Sequence, residues 1–236
     1  MNMLADFSDA MWISSTLWGG PRSCAPAPYF RVVFHVGGSV RSATLHVTAL
    51  GLYECELNGR LVGDHVFAPG WSEYRKRVYY QSYDVTAMLR AGENVMGAIL
   101  GDGWYCGLIA EKDRQQYGDR PLLLAQLEIT HADGSITRIA SSPAWKTTTG
   151  PILEADLLQG EAYDARHELG AWSSPGYDDS RWQSAEPATA PDIAIERSEG
   201  PPVRRIETLP PLKQYVAPWH SRALVCDFGQ NFTGRM

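Results

Sequence analysis

The chain has 236 residues, 44% of them hydrophobic and 20% charged, with a formal net charge of −6. That supplies a real core for one large or two modest domains and argues against intrinsic disorder. The acidic balance argues against a general nucleic-acid or anionic-membrane binder, since both need a basic footprint.

Residues 1–28 read as an irregular segment, with Trp12, Trp18, a Gly-Gly-Pro at 19–21 and further prolines at 26 and 28. The opening MNMLADFSDAMWISS has neither a basic n-region nor an apolar h-region. No stretch is long and apolar enough to span a membrane, so a cytoplasmic chain is expected.

Strands begin at Tyr29–Val36, which Gly37-Gly38 breaks. Thr44–Leu50 then alternates, with Leu45, Val47 and Ala49 on one side and Thr44, His46 and Thr48 on the other. That is the pattern of a half-buried strand. In the following ECELNGRLVGD, Asn58-Gly59 is a two-residue hairpin signal, because both central positions of a type I′ turn need positive φ. The resulting register pairs Leu57 with Arg60, Cys55 with Val62 and Tyr53 with Asp64. Tyr53, Cys55, Leu57 and Val62 then share one face, and Glu54 and Glu56 the other.

Arg77–Tyr83 reads as a strand. Asp84-Val85-Thr86 opens a short helical turn with Asp84 as N-cap, and Gly92 closes it. Val95–Leu100 is apolar on both faces apart from Gly97, as a central strand should be. It runs into a Gly-Asp-Gly-Trp-Tyr loop at 101–105. Leu122–Thr130 is a long strand that Ala132-Asp133-Gly134 turns into Ser135–Ala140, and one or two more strands fall near 150–169. Short strands punctuated by Gly, Pro, Asn and Asp, with almost no helical periodicity, predict an all-β sandwich over 29–185. A Pro-rich linker over 186–221 follows, and Leu224–Phe228 then reads as an unpartnered first strand of a new unit over 222–236.

Three stretches and the scattered cysteines carry chemistry-bearing residues. Glu54 and Glu56, i and i+2 on a strand, lie about 7 Å apart, a spacing that suits the acid and base of an inverting glycosidase. Such a pair must flank a pocket, with one carboxyl raised by burial. Acids alternating with Tyr53, Cys55 and Leu57 instead describe the wet face of a sheet, and that reading is preferred. In the 101–105 loop, Asp102 offers acceptors for sugar hydroxyls or a calcium ion. Trp104 and Tyr105 offer an apolar wall for a sugar ring, or else Trp104 caps the core. In YDDSRW, Asp178, Asp179 and Ser180 suit Asx or Ser turns, and Trp182 suits a plug at the sandwich edge. Cys24, Cys55, Cys106 and Cys226 are far apart with no C-x-x-C spacing and read as free thiols.

Residues 49–107, ALGLYECELNGRLVGDHVFAPGWSEYRKRVYYQSYDVTAMLRAGENVMGAILGDGWYCG, resemble the N-terminal β-sandwich module of bacterial α-L-rhamnosidases, glycoside hydrolase family 78. LLAQLEITHADG at 123–134, GPILEADLLQGEAYDAR at 150–166 and GYDDSRW at 176–182 follow in the same order. CDFGQNFTG at 226–234 resembles the opening of the next module. The resemblance implies a jelly-roll-like, galactose-binding-domain-like fold. It also implies a catalytic (α/α)6 barrel that lies outside this chain and hydrolyses terminal α-L-rhamnosides by inversion. No catalytic residue carries over, so the chain alone is expected to be inactive. The implied partners are a rhamnose-containing glycan and that barrel. Related modules bind rhamnose with calcium assisting; no cofactor is required here, and calcium is an option at a sugar site around Asp102, Trp104 and Tyr105. The alternatives are a stand-alone lectin-like rhamnose-binding module and a small hydrolase using Glu54 and Glu56.

Overall fold

The structure is a computed structural model that describes residues 5–17 and 19–232; Trp18 and the Thr233-Gly234 end of the terminal motif lie outside them. The chain divides into two units, one up to Val203 and one from Arg204 onwards. In the first unit the strands are β1 (Ile13–Ser14), β2 (Pro28–Val36), β3 (Val40–Leu50), β4 (Leu52–Leu57), β5 (Arg60–Leu61), β6 (Arg77–Asp84), β7 (Gly92–Gly101), β8 (Leu122–His131), β9 (Ile136–Ala140), β10 (Lys146–Thr149), β11 (Ile152–Asp156), β12 (Gly160–Tyr163), β13 (Gln183–Ser184), β14 (Glu186–Pro187) and β15 (Ala194–Arg197). One helical turn, α1 (Gly103–Cys106), follows β7. No helix among the described residues is long and apolar enough to cross a membrane.

Two sheets make a sandwich. The seven-stranded sheet runs β14-β1-β8-β3-β6-β15, with β9 also on β8, and the six-stranded sheet runs β13-β10-β2-β7-β4-β5. Their inner faces meet in one core, where Leu45, Val47 and Ala49 of β3 and Leu123, Ala125 and Leu127 of β8 oppose Met96, Ala98 and Leu100 of β7. Each Leu, Val or Met among them contributes roughly 1.5–3 kcal/mol on leaving water, and each alanine less.

The hairpin follows the Asn-Gly rule. Asn58 and Gly59 take φ 53° and 77°, and Leu57 pairs with Arg60 and Glu56 with Leu61. The Val62 N–H donates to the Cys55 carbonyl, and Tyr53, Cys55, Leu57 and Val62 are all buried. Pairing then stops: the Tyr53 N–H donates to the Ala68 carbonyl, so Asp64 is not its partner. Asn58 does more than turn the chain. Its side chain accepts from the Val95 N–H at 2.9 Å and donates to the Met88 carbonyl and the Asn94 side chain.

β7 is central, between β2 and β4. Its outer face is covered at Gly97 by Trp172, which packs with Tyr29 and Trp182. The turn before it differs from expectation. The Asp84 carboxylate accepts from the Thr86 N–H at 3.0 Å, but the 3-10 turn, Thr86–Met88, ends at Leu89. Gly92, at φ 87°, opens β7.

Segments read as irregular or as linker join the sandwich. Ile13 is fully buried and pairs with both Leu123 and Pro187. The Gln126 side chain donates to the Asp6 carbonyl. β15 adds in parallel to β6, Ala194 opposite Arg77 through Arg197 opposite Tyr80. A parallel neighbour needs a long crossover, which leaves no local signal. In the second unit, β16 (Lys213–Val216) and β17 (Leu224–Asp227) pair antiparallel. The strand at 224 therefore has a partner, drawn from residues read as linker.

Candidate functional site

Two motifs separated in sequence meet at one end of the sandwich. β7 ends at Gly101 and the chain winds through α1, with the Cys106 N–H donating to the Asp102 carbonyl. Gly103 has φ 53°, and a Cβ there would lie 2.8 Å from Leu52 Cγ, so only glycine lets this turn press against the β3–β4 junction. The tight winding sends its side chains apart. Asp102, Tyr105 and Cys106 point inward and are buried, while Trp104 is only half-buried.

Trp104 stacks on Trp71, ring centroids 5.9 Å apart and planes 3° from parallel. Trp71 follows Pro69-Gly70, where Gly70 takes φ 96°, and it stays 55% exposed. The pair is an aromatic shelf, half in water, built from the Pro-Gly-Trp and Gly-Asp-Gly-Trp-Tyr motifs.

The other two residues expected at a sugar site are committed elsewhere. Tyr105 is 5% exposed, edge-on to Tyr74 at 5.3 Å. It packs so closely on Gly118 that a Cβ there would overlap its ring. It is a core wedge, not a wall for a ligand. The buried Asp102 carboxylate is ion-paired with the Arg114 guanidinium, which also binds Asp156 Oδ2 at 2.8 Å. Asp102 Oδ2 is therefore committed to Arg114, and the buried side chain is held inward. Nearby, the Arg75 guanidinium lies over the Tyr117 ring at 5.0 Å.

The Asp102–Arg114–Asp156 clamp ties the 107–121 loop to the end of β11. Asp156 also accepts from the backbone N–H groups of Leu108, Leu158 and Gln159 at 2.8–3.0 Å. Burial pushes the Asp102 carboxyl up to about 6; Asp156 adds to this, and Arg114 pulls the other way. Burial alone would also raise Asp156, but its three backbone donors and Arg114 outweigh that and hold it below the ordinary range. The guanidinium fills the place between two carboxylates that a metal cation would take. Calcium needs six to eight oxygens, and among the described residues no three His, Cys, Asp or Glu side chains are grouped to hold a metal. As arranged, these residues do not fit calcium. Nothing local joins Arg114 to Asp156, so their pairing across 42 positions was invisible in the sequence.

Glu54 is exposed. Glu56 is half-buried and accepts a hydrogen bond from the Ser173 hydroxyl, which fastens the hairpin to the 171–182 segment. That segment is structural as well. The Asp178 carboxylate accepts from the Ser180 N–H. Asp179 does not serve a turn; it pairs with the buried Arg31 and with Lys146. Trp182 stacks near Trp172 at 6.3 Å.

The family model for the α-L-rhamnosidase N-terminal domain matches residues 38–207. An α-L-rhamnosidase of Streptomyces avermitilis is 44% identical over 241 residues, which is 97% of this chain and 23% of that protein. The structure of a Streptomyces avermitilis α-L-rhamnosidase complexed with L-rhamnose matches with TM-score 0.83 at 45% identity, covering 88% of this chain and 20% of that one. That of native α-L-rhamnosidase from Aspergillus terreus matches with TM-score 0.89 at 39% identity, covering 95% and 26%. The chain thus spans about a quarter of the length of these relatives.

Proposed function

The chain belongs to the α-L-rhamnosidase N-terminal domain family, and from that we propose that it is a non-catalytic, carbohydrate-binding module of an α-L-rhamnosidase whose hydrolytic barrel lies in the rest of the parent polypeptide. The observation that carries this reading is the stacked Trp71–Trp104 pair with Trp71 more than half in solvent. Two indoles stacked at the surface make an apolar patch rather than a lone exposed residue, and such a patch suits a ligand or partner. A deoxyhexose such as rhamnose has a methyl group and C–H faces that suit an indole surface, with hydroxyls left for water or polar neighbours. The S. avermitilis enzyme was crystallised with L-rhamnose, which makes that sugar the first ligand to try.

Two further observations support a non-catalytic role. Glu54 is exposed and Glu56 is tied to Ser173. The buried Asp102 and Asp156 share Arg114 and have no room for substrate and water between them.

Titration of L-rhamnose, with and without calcium, followed by amide and indole chemical shifts, tests the proposal. Shifts should cluster on Trp71 and Trp104, with a dissociation constant of ~1 mM or weaker for so small and hydrated a ligand, and Trp104→Ala should abolish them. Shifts elsewhere that survive Trp104→Ala would reject the shelf. The chain should release no chromophore from an aryl α-L-rhamnoside; turnover lost in Glu56→Gln would reject the non-catalytic role.

A further inference from the structure

We propose that the cleft beside the Trp71–Trp104 shelf holds the inner units of a glycan whose terminal ring rests on that shelf, so that the module takes an oligosaccharide. This rests on the shelf being a sugar site. The cleft encloses about 910 Å³ and is lined by the loop after β5 (residues 65–70), by β6, and by β15 with the residues that follow it to Val203. That volume is at the upper end for small-ligand sites and far exceeds one monosaccharide.

The wall at 65–70 is built to present a ring. Phe67 sits at φ 58°, a conformation a bulky residue rarely adopts, yet it is 37% exposed. Such strain persists only where the surroundings enforce it, and it clusters at functional sites. Three hydrogen bonds enforce it here. The Val66 N–H donates to the Val203 carbonyl at 2.9 Å and the Tyr53 N–H to the Ala68 carbonyl at 2.9 Å. Gln81 Nε2 donates to the Pro69 carbonyl at 3.1 Å.

The sheet itself turns polar at the cleft. Gln81 stands opposite Val47, on the core-facing side of β6, where period two calls for an apolar residue. It is buried, and its carbonyl oxygen accepts from the Tyr53 hydroxyl at 2.6 Å. Tyr79 lines the same cleft two residues away. On the far wall, Arg77 is paired with Glu196, followed by Arg197 and Glu199. Acids and bases alternate there, so the wall favours neither anion nor cation. Aromatic rings among amide, guanidinium and carboxylate groups suit a neutral polyhydroxylated ligand.

Shelf and cleft adjoin. Pro69 and Gly70 line the cleft, and Trp71 is the next residue, one Cα step of about 3.8 Å away. A glycan that bridges the two would run from Trp71 past Gly70 and Pro69 to Phe67.

The test compares L-rhamnose with a rhamnose-terminated tetrasaccharide by calorimetry and amide shifts on the intact chain. The tetrasaccharide should bind at least about tenfold more tightly and shift amides of 65–70 and 195–203 as well as those of the shelf. Phe67→Gly is the decisive variant, because glycine accepts the same positive φ and keeps the loop. It should bring tetrasaccharide affinity down to that of rhamnose while rhamnose binding is unchanged. Glu196→Gln, on the β15 side of the cleft and level with Tyr79, should weaken only the tetrasaccharide. Equal affinity for both probes, or a gain that survives both substitutions, would overturn this inference and leave the shelf standing. No binding of either probe would overturn both.

Discussion

Trp172 occupies the space that any side chain at Gly97 would need: a Cβ there would lie 2.3 Å from Trp172 Cζ3 and 3.0 Å from the Phe30 carbonyl oxygen. The outer face of β7 is covered there because one glycine admits an indole from a segment some 75 residues away. Gly97→Ala should cost about 2–3 kcal/mol, since Trp172 is locked between Tyr29 and Trp182 and the alternative is a backbone shift. Gly37→Ala, with open space around it and no positive φ, is the control and should be near neutral. Urea melts followed by tryptophan fluorescence check both.

Gly59→Val should lose about 2 kcal/mol or more. Most of the loss comes from forcing a β-branched residue to φ 77°. The remainder comes from the contact with Ser174 Oγ, 2.5 Å from the added Cβ. Glu54→Gln, on the exposed side of the same hairpin, should change stability by less than about 0.5 kcal/mol. Denaturant midpoints compared across the two variants decide it.

Asp156→Ala should be among the most damaging polar substitutions, at about 3–5 kcal/mol. It takes one of two carboxylates from a buried guanidinium and leaves three backbone N–H groups without their acceptor. Hydrogen exchange should show Leu108, Leu158 and Gln159 amides losing protection first.

Asp102 gives the clamp a pH signature. Its folded carboxyl titrates near 6 against an ordinary 3.8, so the folded state takes up its proton first. The stability this contributes is fully present below 3.8 and is lost as pH rises through 6. Asp156, held low, acts in the opposite sense and only in more acid solution. Asp102→Asn should therefore leave the wild type gaining on the variant as pH falls from about 7 to 4, by on the order of 2 kcal/mol. Thermal melts across that range, wild type against Asp102→Asn, should diverge in that direction; parallel curves would mean Asp102 titrates normally.

What the sequence disclosed follows from how local each cause is. The Asn58-Gly59 turn and the hairpin face carrying Tyr53, Cys55 and Leu57 are set within ten residues, and both were legible. So was the central place of β7, from apolarity on both faces. The Trp71–Trp104 contact was half legible: each motif stood out, but nothing local joined them. Arg114 was silent because a buried cation in a loop looks like any exposed arginine until its two carboxylates are located. Tyr105 was misjudged for a related reason, since an aromatic next to an exposed one in a tight turn points the other way. β15 escaped because four residues bracketed by prolines have no pattern of their own and take their strand form from β6.

That parallel strand bears on where the chain can be trimmed. A boundary drawn at 185, where the sandwich pattern fades, would delete β14 and β15 and bare the hydrogen-bonding edge of β6. An uncovered edge of that length recruits a neighbour's edge, and a shortened product would be prone to self-association. It would also lose one whole wall of the cleft beside Phe67, so the same cut that bares a sheet edge opens that cleft to solvent.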